Sequence, residues 1–173
     1  QALAEGETVG MQPDAEQQYE DLPLPRSLQD LVARRLQSLS QDVLRVLEAA
    51  SVLGRELGEG MLSAVTGLES DLLLRGLEEL LARHILEEAG PGRLWFVHDR
   101  IRQTAYEAIP ADVRRRLHQA AAEAMERPGA AADAAALGYH WQHAERPAQA
   151  RDCHLRAARS AAADRAAPSG PDS

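Results

Sequence analysis

Between Ser70 and Val97 the hydrophobic period changes from helical to strand-like, and this change constrains the fold more than any other stretch of the chain. SDLLLRGLEELLARH sets Leu73, Leu74, Leu77, Leu80 and Leu81 on one face of a helix, with Ser70 placed to cap its first turn. Two short apolar runs, Ile85–Glu87 and Leu94–Val97, then flank Ala-Gly-Pro-Gly, whose glycines and proline suit a tight reversal. A leucine helix followed by a hairpin is the expected result.

Three further helices are expected upstream. Ser27-x-x-Asp30 gives a helix start after Pro23 and Pro25, and Leu28, Leu31 and Arg35 with Val32, Leu36 and Leu39 form a largely apolar face over Ser27–Leu39. The next helix runs from Gln41 to Leu53, with Val43, Leu44, Leu47, Ala50 and Val52 inward and Gly54 as its stop. A short one covers Glu59–Val65 and ends at Gly67. Helices followed by a two-stranded hairpin give the topology of a winged-helix module, assigned here to residues 25–98.

Downstream, Asp99–Ile109 and Ala111–Met125 read as helices separated by Pro110, which a helix interior tolerates poorly. They form an expected helical extension over 99–127. PGAA at 128–131 breaks the chain, and two alanine-rich helices follow at about Ala132–Ala144 and Pro147–Ala163. Leu137, Gly138, Trp141, Ala150 and Ala157 fall at the spacings of one tetratricopeptide unit, assigned to 131–163, although His154 stands where a large apolar residue is usual. The expected fold class is therefore mainly α: a winged-helix module with one small hairpin, then tetratricopeptide-like helices. Residues 1–24 are acidic and read as a linker or trimmed edge. Residues 164–173 are small, polar and proline-bearing and read as a disordered tail, and Gln1 in first place suggests a piece of a longer protein.

Charge and composition exclude several functions. The net charge of −8 argues against a broad nucleic-acid surface, which needs a basic stripe to replace phosphate counterions. All 19 basic residues are arginine, and no GxxxxGK[ST] loop is present to cradle a triphosphate, so the chain is no self-sufficient P-loop ATPase and no enzyme by any motif it carries. The single Cys153 rules out an internal disulfide; with no secretory signal or membrane-spanning run in sequence, the expected compartment is the cytoplasm.

The candidate site is His98-Asp99, where a strand runs directly into an amphipathic helix. Unpaired N–H groups and the dipole at a helix start attract anions, so a histidine there, with Asp99 as the cap, is well placed to meet a phosphate. The bland reading is a capped helix start with a packed imidazole. Arg114, Arg115 and Arg116 form the strongest basic cluster, read either as a solvated helix face or as a contact to an acidic protein surface. His140-x-x-His143 with Cys153-His154 offers soft ligands, yet the spacing matches no structural zinc pattern, and no metal is expected.

LPRSLQDLVARRLQSLSQDVLRVLEAASVLGREL, LLLRGLEELLARHIL, FVHDRIRQTAYEAI and RRRLHQAAAEAM, taken in order over residues 22–163, resemble the region after the nucleotide-binding core in bacterial STAND-type predicted ATPases. The resemblance implies an upstream AAA-like P-loop domain binding ATP or ADP with Mg, downstream tetratricopeptide repeats, and a parent linked to a kinase, a cyclase or a LuxR-type domain. Phe96-Val97-His98-Asp99 is also similar to the methionine-histidine-aspartate motif of related apoptotic and plant-immunity switches, with Val97 in place of the methionine. That similarity implies a nucleotide-sensing role for His98 in the parent. This chain itself is expected to hold no cofactor and to bind neither nucleic acid nor membrane; its partners are the upstream ATPase domain, the downstream repeats and a protein reached through them. The competing readings are a DNA-binding winged-helix regulator and a passive protein–protein scaffold. Ser70–Val97 carries five acids against three arginines, a sign that repels a phosphate backbone.

Overall fold

The computed structural model describes residues 34, 36, 38–127 and 133–166, with side chains as far as residue 162. Arg34 and Leu36 are helical and Leu36 is buried, while the rest of the expected Ser27–Leu39 helix up to residue 33 lies outside the described residues, as do residues 1–24 and the 128–131 break. The described elements are α1 (Gln41–Leu53), β1 (Glu56–Gly58), α2 (Glu59–Thr66), α3 (Ser70–Ala82), β2 (Leu86–Gly90), β3 (Arg93–Phe96), α4 (Asp99–Ala108), α5 (Ala111–Met125), α6 (Ala134–His143) and α7 (Pro147–Ala166). The chain is mainly helical, with a small antiparallel sheet in the order β1-β3-β2.

Helix α1 forms because Ser40 caps it, its hydroxyl accepting from the Val43 N–H at 3.4 Å, and because Val43, Val46, Leu47 and Ala50 repeat at helical spacing. Gly54 ends it at φ 114°, a conformation that side-chain-bearing residues rarely adopt. This helix is the centre of the first core: α2, α3, α4 and α5 all pack on it, and Val46, Leu47, Ala49 and Ala50 are fully buried. Each buried valine or leucine of this kind contributes about 1.5–3 kcal/mol. Against α3 the approach is close enough that a Cβ on Gly76 would lie 2.8 Å from Val46 Cγ2.

Three expectations for α3 and the sheet need correction. The N-cap of α3 is Glu69, with no side-chain hydrogen bond, and Ser70 is already the first helical residue. Leu74, expected inside, is 55% exposed, because the tight α1–α3 contact at Gly76 leaves room only for the stripe Leu73, Leu77 and Leu80. The sheet has three strands where a hairpin was expected: β1 pairs with β3, Leu57 opposite Leu94. The segment is too short for a readable period, and its strand character comes from that pairing. Leu57, Leu86, Leu94 and Phe96 point into the core.

The helices after the sheet join the same core. Ala105 of α4 and Ala121 and Ala124 of α5 belong to it, whereas Ala122 of α5 packs into a second core with Leu137, Trp141, Ala144, Ala150 and Cys153. Helix α5 is thus covered on two faces, which is why alanine replaces larger side chains there. Between α6 and α7 the contact is again close: a Cβ on Gly138 would meet the His154 ring at 2.7 Å, so the imidazole fills the place left by the missing side chain. Residues 164–166, placed by sequence in the tail, continue α7.

Candidate functional site

The strand-to-helix junction is built as the sequence suggests in outline. The Val97 N–H bonds to the Ile85 carbonyl at 3.2 Å, closing the end of the sheet, and the His98 carbonyl then accepts the first helical bond, from the Ile101 N–H at 3.0 Å. The N-cap of α4 is His98, in extended conformation (φ −139°, ψ 133°), and its side chain makes no capping bond. Asp99 was expected to cap. It is instead the first helical residue, and its carboxylate turns along the helix to Arg102, whose Nε donates at 2.6 Å and Nη2 at 3.4 Å.

Arg102 also reaches the Ser51 carbonyl at 3.5 Å, tying α4 to α1. The hydrogen bond that Arg102 donates to the Asp99 carboxylate holds this carboxyl below its usual range, and the charges of Arg102, Arg55 and Arg100 add to it against the opposing effect of partial burial. The head of α4 therefore combines an exposed imidazole, the positive end of a helix dipole and a local concentration of guanidinium groups.

The arginine cluster does not act as one patch. Arg114 lies over the Tyr106 ring at 5.1 Å, Arg115 bonds Glu145 of the α6–α7 turn at 2.9 Å, and Arg116 bonds Asp112 one turn back at 3.0 Å. Both ion pairs are exposed and screened by solvent, so neither adds much to stability.

Sequence reasoning passed over a second constellation. His118 of α5 and His140 of α6 are both buried, with their Nδ1 atoms 3.0 Å apart, and the Tyr106 hydroxyl lies 3.0 Å from His118 Nε2. This chain of hydrogen bonds joins α4, α5 and α6. One proton lies between the two Nδ1 atoms, so one ring donates and the other accepts, and both are neutral. Burial pushes His118 down to about 3, with repulsion from His140, His143 and Arg114 adding to it. Burial likewise pushes His140 down to about 4, helped by His143.

His143, by contrast, is exposed; its ring stacks on His118 at 4.8 Å while its Nδ1–H donates to the Tyr139 carbonyl. Cys153 is buried in the second core, and His154 lies against Gly138, so the sequence neighbours His140, His143, Cys153 and His154 do not converge. Among the described residues no group of three or more histidine, cysteine or acidic side chains could hold a metal ion. The signal for the buried pair was present in sequence: His118 shares a stripe with Ala121, Ala122 and Met125, and His140 lies between Leu137 and Ala144. Nor is any described helix long and apolar enough to cross a membrane.

The chain matches no family model, no curated protein and no solved structure.

Proposed function

We propose that this chain is a regulatory module of a STAND-type signalling ATPase, relaying the nucleotide state of an upstream P-loop domain to downstream repeats. The order helix-strand-helix-helix-strand-strand over α1 to β3 supports a winged-helix assignment, and the close α6–α7 hairpin supports a tetratricopeptide-like one. Rigid-body movement of such a module is a known way of passing a change at one site to a distant partner.

The observation that carries the reading is the head of α4. An exposed His98 stands at a helix N-terminus with Arg55, Arg100 and Arg102 gathered near Asp99, a setting suited to a phosphate presented by another domain. ATP or ADP with Mg would be held by the upstream domain, and this chain would contribute a contact and no chemistry. DNA binding is the weaker reading, because the surface of α3 offers Asp71, Leu72, Leu74 and Glu78 beside the single Arg75.

The test is ADP release from the full-length protein. A hydrogen bond from the imidazole to a phosphate is worth about 1.5–3 kcal/mol when desolvated. His98→Ala should therefore speed ADP release about tenfold or more and raise effector output. Unchanged release with unchanged output would reject the sensor role.

A further inference from the structure

The outer face of the sheet carries a row of side chains that neither core uses. Antiparallel pairing sets Glu56 opposite Trp95 and Trp95 opposite Glu87, and directly opposed residues share one face with their Cβ atoms about 4.5–5.5 Å apart. All three are exposed. Trp95 is 43% exposed, whereas the other tryptophan, Trp141, is 5% exposed and bonded to Glu126. Leaving an indole in water forfeits more apolar burial than leaving any other side chain there, and its π-face attracts cations.

The charges around it are predominantly acidic. Arg93, two residues along β3 and so on the same face, bonds Glu56 at 3.1 Å, and Glu87 makes no ion pair among the described residues. At the end of the sheet a cleft of about 310 Å³ is lined by Glu59, Glu88, Arg93, Leu94 and the glycine-proline turn. Glu56 and Glu87 thus flank the indole, the one guanidinium of this face being already engaged by Glu56, while Glu59 and Glu88 line the cleft at the end of the sheet.

We infer that this face docks an arginine-bearing segment of a partner protein, with a guanidinium stacked on Trp95 and hydrogen-bonded to Glu87. The planar guanidinium suits the site better than an ammonium does, since it can lie flat on the ring while presenting two parallel N–H groups to a carboxylate. Nucleic acid is excluded as the occupant by the carboxylates, which repel phosphates. The inference is independent of the nucleotide-sensing role of His98.

Anisotropy of a fluorescein-labelled Gly-Arg-Gly-Arg-Gly-Arg peptide, titrated with the intact chain at low salt, tests it. Saturable binding is expected, weakened about three- to tenfold by Trp95→Ala or Glu87→Gln and similarly by exchanging the peptide's arginines for lysines. The tryptophan emission of the wild-type chain should change in step, because Trp141 is shielded. Thermal unfolding by circular dichroism verifies that both variants are folded, and Glu123→Gln, on the exposed side of α5, is the charge-matched control that should bind as wild type. Equal binding by wild type, Trp95→Ala and Glu87→Gln would overturn the proposal and leave only diffuse attraction to an acidic protein. Concentration-dependent self-association that is abolished by Trp95→Ala and blocks the peptide would also overturn it, since a second copy would then own the face.

Discussion

His98, the N-cap of α4, and His118, within the next helix α5, occupy opposite surroundings. The imidazole of His98 is exposed, makes no cap bond and faces a guanidinium-rich helix head. That of His118 is fully buried, bonded on both nitrogens and coupled to a second buried ring. The first can respond to something that arrives, whereas the second holds three helices in register. A histidine's role is set by which of its nitrogens the fold has already used, and only tertiary structure reveals that.

The sharpest separation between the two should come from deletion. His118→Ala removes a fully buried ring, leaves a void and strands the His140 Nδ1 without its partner. A loss of about 2–4 kcal/mol in urea unfolding is expected from cavity and unsatisfied-group costs. A loss under about 0.5 kcal/mol would mean that the junction is loosely packed and that the contrast fails.

Acid should separate them next. Well above the ordinary histidine value of 6.5 the buried rings of His118 and His140 are neutral folded and unfolded, so their stabilising arrangement is intact. As pH falls below 6.5 the unfolded chain takes up protons that the folded junction refuses until about 4 and about 3, and stability drops throughout that window. By pH 5 this amounts to about 2 kcal/mol per ring. The double variant His118→Leu/His140→Leu should flatten the dependence between pH 6.5 and 5; an unchanged slope in the double variant would assign the acid sensitivity elsewhere.

Much of the fold was legible because the helices carry their own punctuation. Ser40 and Gly54 bracket α1, Gly67 follows α2, and Pro110 and the break after Met125 bound α5, so those limits could be read from local chemistry. What escaped depends on partners far along the chain. Strand β1 exists through β3, and Leu74 lies outside because Gly76 meets Val46. The candidate site divides in the same way. The position of His98 at a strand-to-helix turn is local and was found, whereas the His118–His140 contact spans two helices joined across an unreadable break, and the i,i+3 histidines diverted attention to a ligand pattern that only His140 faces inward to enter.

A smaller effect is expected at Asp99. Its carboxylate and Arg102 form a partly exposed pair bridging to the Ser51 carbonyl, so screening by solvent limits what the contact contributes. Asp99→Asn should cost about 0.5–1 kcal/mol at pH 7. Because the carboxyl is held below its ordinary value, the stabilisation is fully present above about pH 4 and is lost as pH falls through the lowered value, whereas the histidine junction begins to weaken already as pH drops below 6.5. A stability difference between wild type and Asp99→Asn that vanishes already at pH 6 would show that the pairing with Arg102 is not its source.

The smallest expected effect is the most telling for the contrast. His98→Ala removes a side chain that caps nothing and lies in solvent, so unfolding of the isolated chain should shift by less than about 0.5 kcal/mol, the usual range for surface substitutions. If the shift instead exceeds about 1 kcal/mol in differential scanning calorimetry, His98 is packed into the fold as His118 is, and its loss would alter the parent protein through folding alone. A near-zero shift accompanied by faster ADP release from the full-length protein would place the effect on ligand contact, because a residue that stabilises nothing in the free module can change nucleotide retention only through what it touches in the assembled one.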